Sequence, residues 1–307
     1  VAEPQAADMV KFGYFLIPRS TDPLIETARE VERLGLDYLA IQDHPYQRRF
    51  VDTFTLISAI LASTNSIKVF SDVACLPLRP PAVLAKTAAS LDVLSGGRFE
   101  LGLGAGAFWE AIDGYGGTLR SPGQALSQLV EGVDVIRRIW SGQRGLRFEG
   151  DYYHLRGVHS GPLPAHDIGL WIGASRPRAL RQVGRLADGW VTSIRGDMLA
   201  RLGEMGARVD EGAVQAGRDP ALIRRVFNVT GEIFDGPSSG FLRGPATQWA
   251  QELAMLVTEH RADILVYGGS MMSTPSMDES VMEQLRRFVA EVVPATRRQL
   301  PPSASGE

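Results

Sequence analysis

Residues 67–106 read I-K-V-F-S-D-V-A-C-L-P-L-R-P-P-A-V-L-A-K-T-A-A-S-L-D-V-L-S-G-G-R-F-E-L-G-L-G-A-G, one complete strand–helix–strand unit. Ile67 to Leu76 is an apolar strand. Pro81 to Leu94 is a helix with proline in its first turn, where a missing N–H is harmless. Gly96 and Gly97 then turn the chain into a second strand, Arg98 to Leu103. Strands joined through a helix run parallel, so this unit belongs to a parallel sheet covered by helices.

The same alternation continues in both directions. Upstream, Lys11 to Ile17 is a strand stopped by Pro18, and Asp22 stands where a helix cap belongs. Leu24, Ile25, Ala28, Val31 and Leu34 form one apolar stripe that ends at Gly35. Asp37 to Ile41 is the second strand, followed by a helix from Asp52 to Ser63. Downstream come a helix from Gln124 to Trp140, a strand from Leu170 to Ala174, a helix from Arg178 to Ala187 and the strand G-W-V-T-S from Gly189. After a long helix, a strand at Arg224 to Phe234, a helix from Pro245 to Arg261, the strand Asp263 to Tyr267 and a helix from Met277 to Val292 complete the series. Eight strand–helix units without a composition break predict one (β/α)8 TIM barrel over residues 9–293. Segments 105–122, 141–167 and 235–244 are expected to be insertions at its C-terminal face, and 294–307 a flexible tail. The competing doubly wound sheet calls for an early G-x-G-x-x-G, whereas the first junction reads I-P-R-S-T-D-P.

Bulk properties narrow the function. A net charge of −3 on 307 residues leaves no electrostatic footprint for nucleic acid. The single cysteine, Cys75, sits in apolar V-A-C-L, which reads as a packed thiol in a reducing, cytoplasmic protein. No apolar run approaches the roughly twenty residues of a membrane span. Val1 to Asp8 has no signal-peptide pattern. A small-molecule partner is expected, with neither membrane nor nucleic acid.

In a barrel, chemistry belongs at the carboxyl ends of the strands. The second strand is followed by Asp43 and His44. The imidazole can take or give a proton there, and Asp43 either orients it or caps the turn. Asp72 lies inside the third strand, a costly place for a carboxylate. Either a backbone irregularity turns it toward the mouth, or neighbouring amides satisfy it. Gly102, Gly104 and Gly106 either bare the backbone to a ligand or serve close packing. Gly173, Ala174 and Ser175 form an anion seat or a simple serine cap. Arg195, just past the sixth strand, is a further anion or substrate contact. His154, His159 and His166 fit no zinc spacing, so no metal is expected. No G-x-S-x-G or Cys–His pattern calls for a nucleophile.

Taken together, F-G-Y-F near the start, R-L-G-L-D-Y-L-A-I-Q-D-H, the L-P-L-R-P-P to G-L-G-A-G run and I-G-A-S-R-P-R-A-L-R-Q-V-G-R-L-A-D-G-W-V resemble the bacterial luciferase-like family of flavin-dependent oxidoreductases. The resemblance covers most of residues 10–195. It implies a barrel that binds FMN, or the deazaflavin coenzyme F420, at the carboxyl ends of its strands. The Asp-His pair resembles the deazaflavin branch, in which the histidine lies against the active face of the ring. That branch also holds a non-prolyl cis peptide in strand three, corresponding here to Asp72–Val73. The implied function is hydride transfer between F420 and a small organic substrate, with His44 as proton donor or acceptor and Asp43 as its orienter. Cofactor contacts are expected from Asp72, Val73, Gly104, Ala105, Gly106, Glu110, Gly173, Ala174 and Ser175, and a substrate contact from Arg195. An alternative is an FMN monooxygenase supplied by a flavin reductase and using O2. A third reading is a non-catalytic flavin-binding barrel. Members often form homodimers. The acid that follows the last glycine in the sugar-phosphate enzymes is replaced here by Ala107, which speaks against a glucose-phosphate substrate.

Overall fold

Eight parallel strands close into a barrel in the computed structural model, which describes residues 10–194, 198–269 and 279–301. They are β1 (Lys11–Leu16), β2 (Tyr38–Ile41), β3 (Lys68–Ser71), β4 (Phe99–Gly104), β5 (Leu170–Gly173), β6 (Gly189–Ile194), β7 (Arg224–Val229) and β8 (Ile264–Tyr267). Each pairs with its neighbours in sequence, and β1 pairs with β8, Lys11 lying opposite Ile264. The β3–β4 seam runs through Val69 opposite Phe99 and continues where Ala74–Cys75 pairs with Leu103 and Gly104.

Alternation of side chains across each strand divides the core in two. Phe15, Tyr38, Phe70, Trp171, Val191 and Val226 pack inside the barrel, with Phe70 edge-on to Trp171 at 4.9 Å. Phe12, Leu39, Val69, Leu101, Phe227 and Leu265 face the other way, into a larger core shared with the helices.

The helices are α1 (Leu24–Arg33), α2 (Thr53–Ser63), α3 (Pro81–Ser95), α4 (Pro122–Trp140), α5 (Pro177–Leu186), α6 (Met198–Gln215), α7 (Ala246–His260) and α8 (Glu279–Arg287). Asp52 caps α2 by accepting from Thr55 N–H, and α3 stops at Gly96 with φ 69°. A reciprocal Ser121/Gln124 capping box starts α4 at Pro122, two residues before the expected start at Gln124. The expected Asp22 cap on α1 is not made. Pro23 holds that position, and Asp22 pairs with Arg19 at 3.6 Å. Arg98 ties the end of α2 to the start of the third strand, donating to Leu61 O at 2.6 Å and Ile67 O at 3.2 Å.

Two expectations about the ends of the molecule need correction. The 105–122 and 235–244 segments follow strands and so lie at the C-terminal face, but 141–167 joins the end of α4 to the start of β5. Its hairpin (Leu146–Glu149 with His154–Val158) turns back along α4, where Glu131 accepts from the Asp151 and Tyr152 amides. Its return then covers the amino ends of the strands. Asp92 there accepts from the Ala165 and His166 amides, and His166 Nδ1 lies 2.8 Å from Asp92. The tail correction is larger. A π-helical turn at Phe288–Val292 carries α8 into a further helix, Val293–Gln299. Phe288, Val292, Thr296 and Leu300 recur every four residues and are buried, so Pro294 opens a packed helix rather than a flexible tail. Residues 302–307 lie outside the described part. Among the described residues, no helix is long and apolar enough to cross a membrane.

Candidate active site

At the carboxyl end of β2 the chain turns through Asp43, His44, Pro45 and Tyr46. Asp43 is buried, and both of its oxygens are occupied. Oδ2 accepts from Cys75 N–H and Arg79 Nε, and Oδ1 from Arg79 Nη2, each at 2.8 Å. The same guanidinium reaches Asp52 at 2.7 Å and lies over the Phe54 ring. Asp43 thus clamps the end of β2 to the turn after β3. A buried two-point ion pair of this kind is expensive to break, because either partner left alone is an uncompensated charge. None of its hydrogen bonds goes to His44, so the expected orienting role is not what its contacts show.

His44 has a different partner. Its Nδ1 lies 2.6 Å from Tyr46 Oη, and Phe108 packs edge-on against the imidazole at 5.5 Å between centroids. Burial holds the imidazole below its ordinary pKa, against the pull of the Asp43 carboxylate. The ring is therefore neutral near pH 7. Burial also pushes the Tyr46 phenol well above its usual range, so it keeps its proton.

The Asp72–Val73 bond is cis, in agreement with what the resemblance implies. Asp72 is only partly buried as a residue, yet its Oδ2 is sealed from solvent and has no hydrogen-bond partner among the described residues. Burial pushes this carboxyl up to about 7, opposed by a hydrogen bond from the Asn228 side chain. Asn228 in turn donates to Ser193 Oγ at 3.4 Å and leaves its own Oδ1 unpartnered. Neighbouring amides leave Asp72 Oδ2 unsatisfied.

Val73 explains two of the glycines. A Cβ at Gly104 would stand 2.7 Å from Val73 Cγ2, and one at Gly173 would stand 3.0 Å from the same methyl. Those bare backbones therefore accommodate a side chain of the barrel, which forms the floor of the mouth. Gly106 has φ 93°, and a Cβ there would meet Ile112 Cδ1 at 2.9 Å. It makes the turn into the short Trp109–Gly114 helix, on whose first turn Glu110 is exposed; Ala105 is half-buried.

At the end of β5, Gly173 and Ala174 are half-buried and Ser175 is exposed. Ser175 does not cap α5. Arg176 holds that position without a side-chain cap hydrogen bond, and among the described residues no side chain bonds the free amides of the first turn, as an anion seat requires. Arg195 lies outside the described residues. Cys75 is buried, and burial pushes its thiol up to about 12, as suits a packed cysteine. Among the described residues, no group of three or more His, Cys, Asp or Glu side chains could hold a metal.

Four contributors escaped the sequence reading. Tyr46 and Phe108 were legible only as aromatics near the motifs. Asn228 was visible as the polar residue in V-F-N-V, at an inward position of β7. Arg79 gave no local signal, since its partner stands 36 residues earlier. At the opposite end of the barrel, a cavity of about 1060 Å³ is lined by Lys68, Glu100, His166, Trp171 and Arg224 among others. Glu100 there sits 3.5 Å from Lys68 and 3.4 Å from His166 Nε2, a network separate from His44.

The profile of the luciferase-like monooxygenase family matches residues 10–231. An F420-dependent glucose-6-phosphate dehydrogenase of Gordonia bronchialis is 30% identical over 73% of this chain and 68% of its own. An F420-dependent hydroxymycolic acid dehydrogenase of Mycobacterium tuberculosis is 31% identical over 69% of this chain and 60% of its own. Among solved structures, an F420-dependent secondary alcohol dehydrogenase bound to an F420–acetone adduct superposes with a TM-score of 0.80 at 20% identity, over 94% of this chain and 99% of that one. A long-chain alkane monooxygenase gives 0.79 at 14% identity, over 97% and 93%. At those identities the two structures establish the barrel fold.

Proposed function

This chain belongs to the luciferase-like monooxygenase family, and from that premise we propose that it is an F420-dependent oxidoreductase acting on a small organic substrate. The observation that carries this reading is the F420 dependence of its curated relatives at 30% identity and above, matched by a neutral histidine at the barrel mouth. FMN-dependent chemistry is the alternative, since monooxygenases share the fold, at 14–15% identity. A separate reductase belongs only to that alternative.

The residues present fit a flavin-type ring with a phosphate tail. Asp72 Oδ2 and Asn228 Oδ1 are buried polar atoms awaiting partners, and Val73 supplies an apolar floor beside them. The open first-turn amides of α5, next to Ser175, suit an anion. When bound, the deazaflavin would supply or accept a hydride. The protein's own part would then be to hold that ring with Val73 and His44, and to hold or move a proton at His44. The Asp43–Arg79 clamp fixes the turn from which His44 projects.

Titrating purified protein with F420 and with FMN, following fluorescence, tests the reading. F420 is expected to bind appreciably tighter; stoichiometric FMN binding without an F420 signal would promote the monooxygenase alternative. His44→Ala should keep cofactor affinity and lose roughly 10²–10⁴-fold in turnover, the usual contribution of a general acid or base. Loss of affinity at unchanged saturated rate would make His44 a wall of the pocket instead.

A further inference from the structure

Resting on the F420 reading, we propose that Tyr46 is a positioning residue that holds His44 as its Nε2–H tautomer, so that the site meets its substrate as a proton donor to a carbonyl oxygen. The starting point is the 2.6 Å separation between Tyr46 Oη and His44 Nδ1. A phenol is a stronger donor than a neutral imidazole N–H, and an imidazole nitrogen a stronger acceptor than a phenol oxygen. The phenol proton therefore points at Nδ1. Among the described residues Tyr46 Oη has no other hydrogen-bond partner, so nothing competes for that proton. Burial keeps the phenol protonated and the imidazole neutral. With Nδ1 accepting, the single ring proton resides on Nε2, the nitrogen left to face a ligand.

Two further contacts make this arrangement specific. Asp43, the other group able to select a tautomer, spends both oxygens on Arg79 and the Cys75 amide. Phe108 packs edge-on against both rings, at 5.5 Å from His44 and 6.1 Å from Tyr46, and so limits rotation of the pair.

The tautomer selects a class of substrate. An Nε2–H donates to a carbonyl oxygen as it stands, whereas it cannot receive an alcohol proton until its own has left. The reaction it serves is reduction of a ketone, aldehyde or carbonyl-conjugated double bond. For a ketone, the carbonyl carbon would gain the hydride that a reduced deazaflavin supplies when bound, and the π pair would move onto oxygen. That oxygen takes the Nε2 proton while Nδ1 takes the proton of Tyr46; a proton from water at Nε2 then returns the Nδ1 proton to the half-buried phenol and restores the pair. The substrate would gain two electrons and two hydrogens, one arriving as the hydride and the other as the His44 proton, with the hydride and its two electrons supplied by the deazaflavin.

The test is histidine-selective ¹⁵N NMR on the protein without cofactor, with the His44 signals assigned by their absence from His44→Ala. We expect a protonated Nε2 and a hydrogen-bonded acceptor signal at Nδ1. In Tyr46→Phe, Nδ1 should shift to the position of a free acceptor. A proton found on Nδ1 in the wild-type protein overturns the proposal without need of any variant, as does an unchanged Nδ1 signal in folded Tyr46→Phe. Because this measurement needs no cofactor, it fails or succeeds independently of the F420 titration.

Discussion

Asp72 is the residue whose chemistry departs furthest from its sequence neighbours. Its carboxyl is raised to about 7 by burial, against roughly 3.9 in an unfolded chain. Between those values the native state holds more protons than the unfolded state, so this group's contribution to stability falls as pH rises from about 4 to about 7. Asp72→Asn keeps the shape and removes the titration. We expect the variant to be more stable than wild type at pH 8 by roughly 1–3 kcal/mol, and the gap to close at pH 4. Urea midpoints at both pH values measure it, and a gap independent of pH would show that the Asp72 pKa does not change on folding. His44 acts in the opposite sense, because its lowered pKa favours folding at higher pH; comparing the variant with wild type cancels it. At this scale the sequence revealed positions better than partners. Asp43 and His44 were legible as a pair after a strand, but the pairing of Asp43 with Arg79 depends on a turn 36 residues away. Tyr46 became meaningful only once the turn folded it back over the imidazole.

Elements were read more securely, for physical reasons visible in the chain. The eight strands are short and mostly apolar, and most helices carry a stop or a proline that marks an end. The start of α4 was missed because S-P-G resembles a loop while serving as a capping box and first turn. The 141–167 excursion was put at the wrong end because loop composition says nothing of location; connectivity does, since a helix-to-strand link returns to the amino ends. The α5 terminus yields a prediction of its own. Ser175→Asp places a negative charge beside its open amides, where it would repel a phosphate tail. F420 affinity should fall about tenfold, equivalent to about 1.4 kcal/mol, while the melting temperature holds or rises because an acid near a helix N-terminus is favourable. A calorimetric titration beside a melting curve separates the two effects. Unchanged affinity would remove the anion seat from this helix.

For the whole molecule, the barrel is closed by its last elements as much as by its strands. Helix Val293–Gln299 sets Arg297 over the Phe12 ring of β1 at 5.4 Å and buries Val293 and Thr296. Deleting residues 293–307 would also remove buried Leu300 and uncover Phe288. Each buried aliphatic side chain contributes roughly 1.5–3 kcal/mol, so the melting temperature should drop by at least about 5 °C. Scanning calorimetry of the truncated protein decides this, and an unchanged melting point would mean that the segment is dispensable. The four-residue repeat of Phe288, Val292, Thr296 and Leu300 was present in the sequence but obscured by Pro294 and the polar residues around it.

The Val73 methyl that lies between Gly104 and Gly173 gives positions 73, 104 and 173 a shared fate under mutation. A larger residue at either glycine displaces Val73, and so reshapes the mouth without touching anything bound there. Its effect should depend on what stands at 73: severe beside valine, mild beside alanine. Substitutions at these three sites are thus non-additive, and drift at one of them opens or closes paths at the other two. The pocket floor evolves as a unit of three residues drawn from three strand ends.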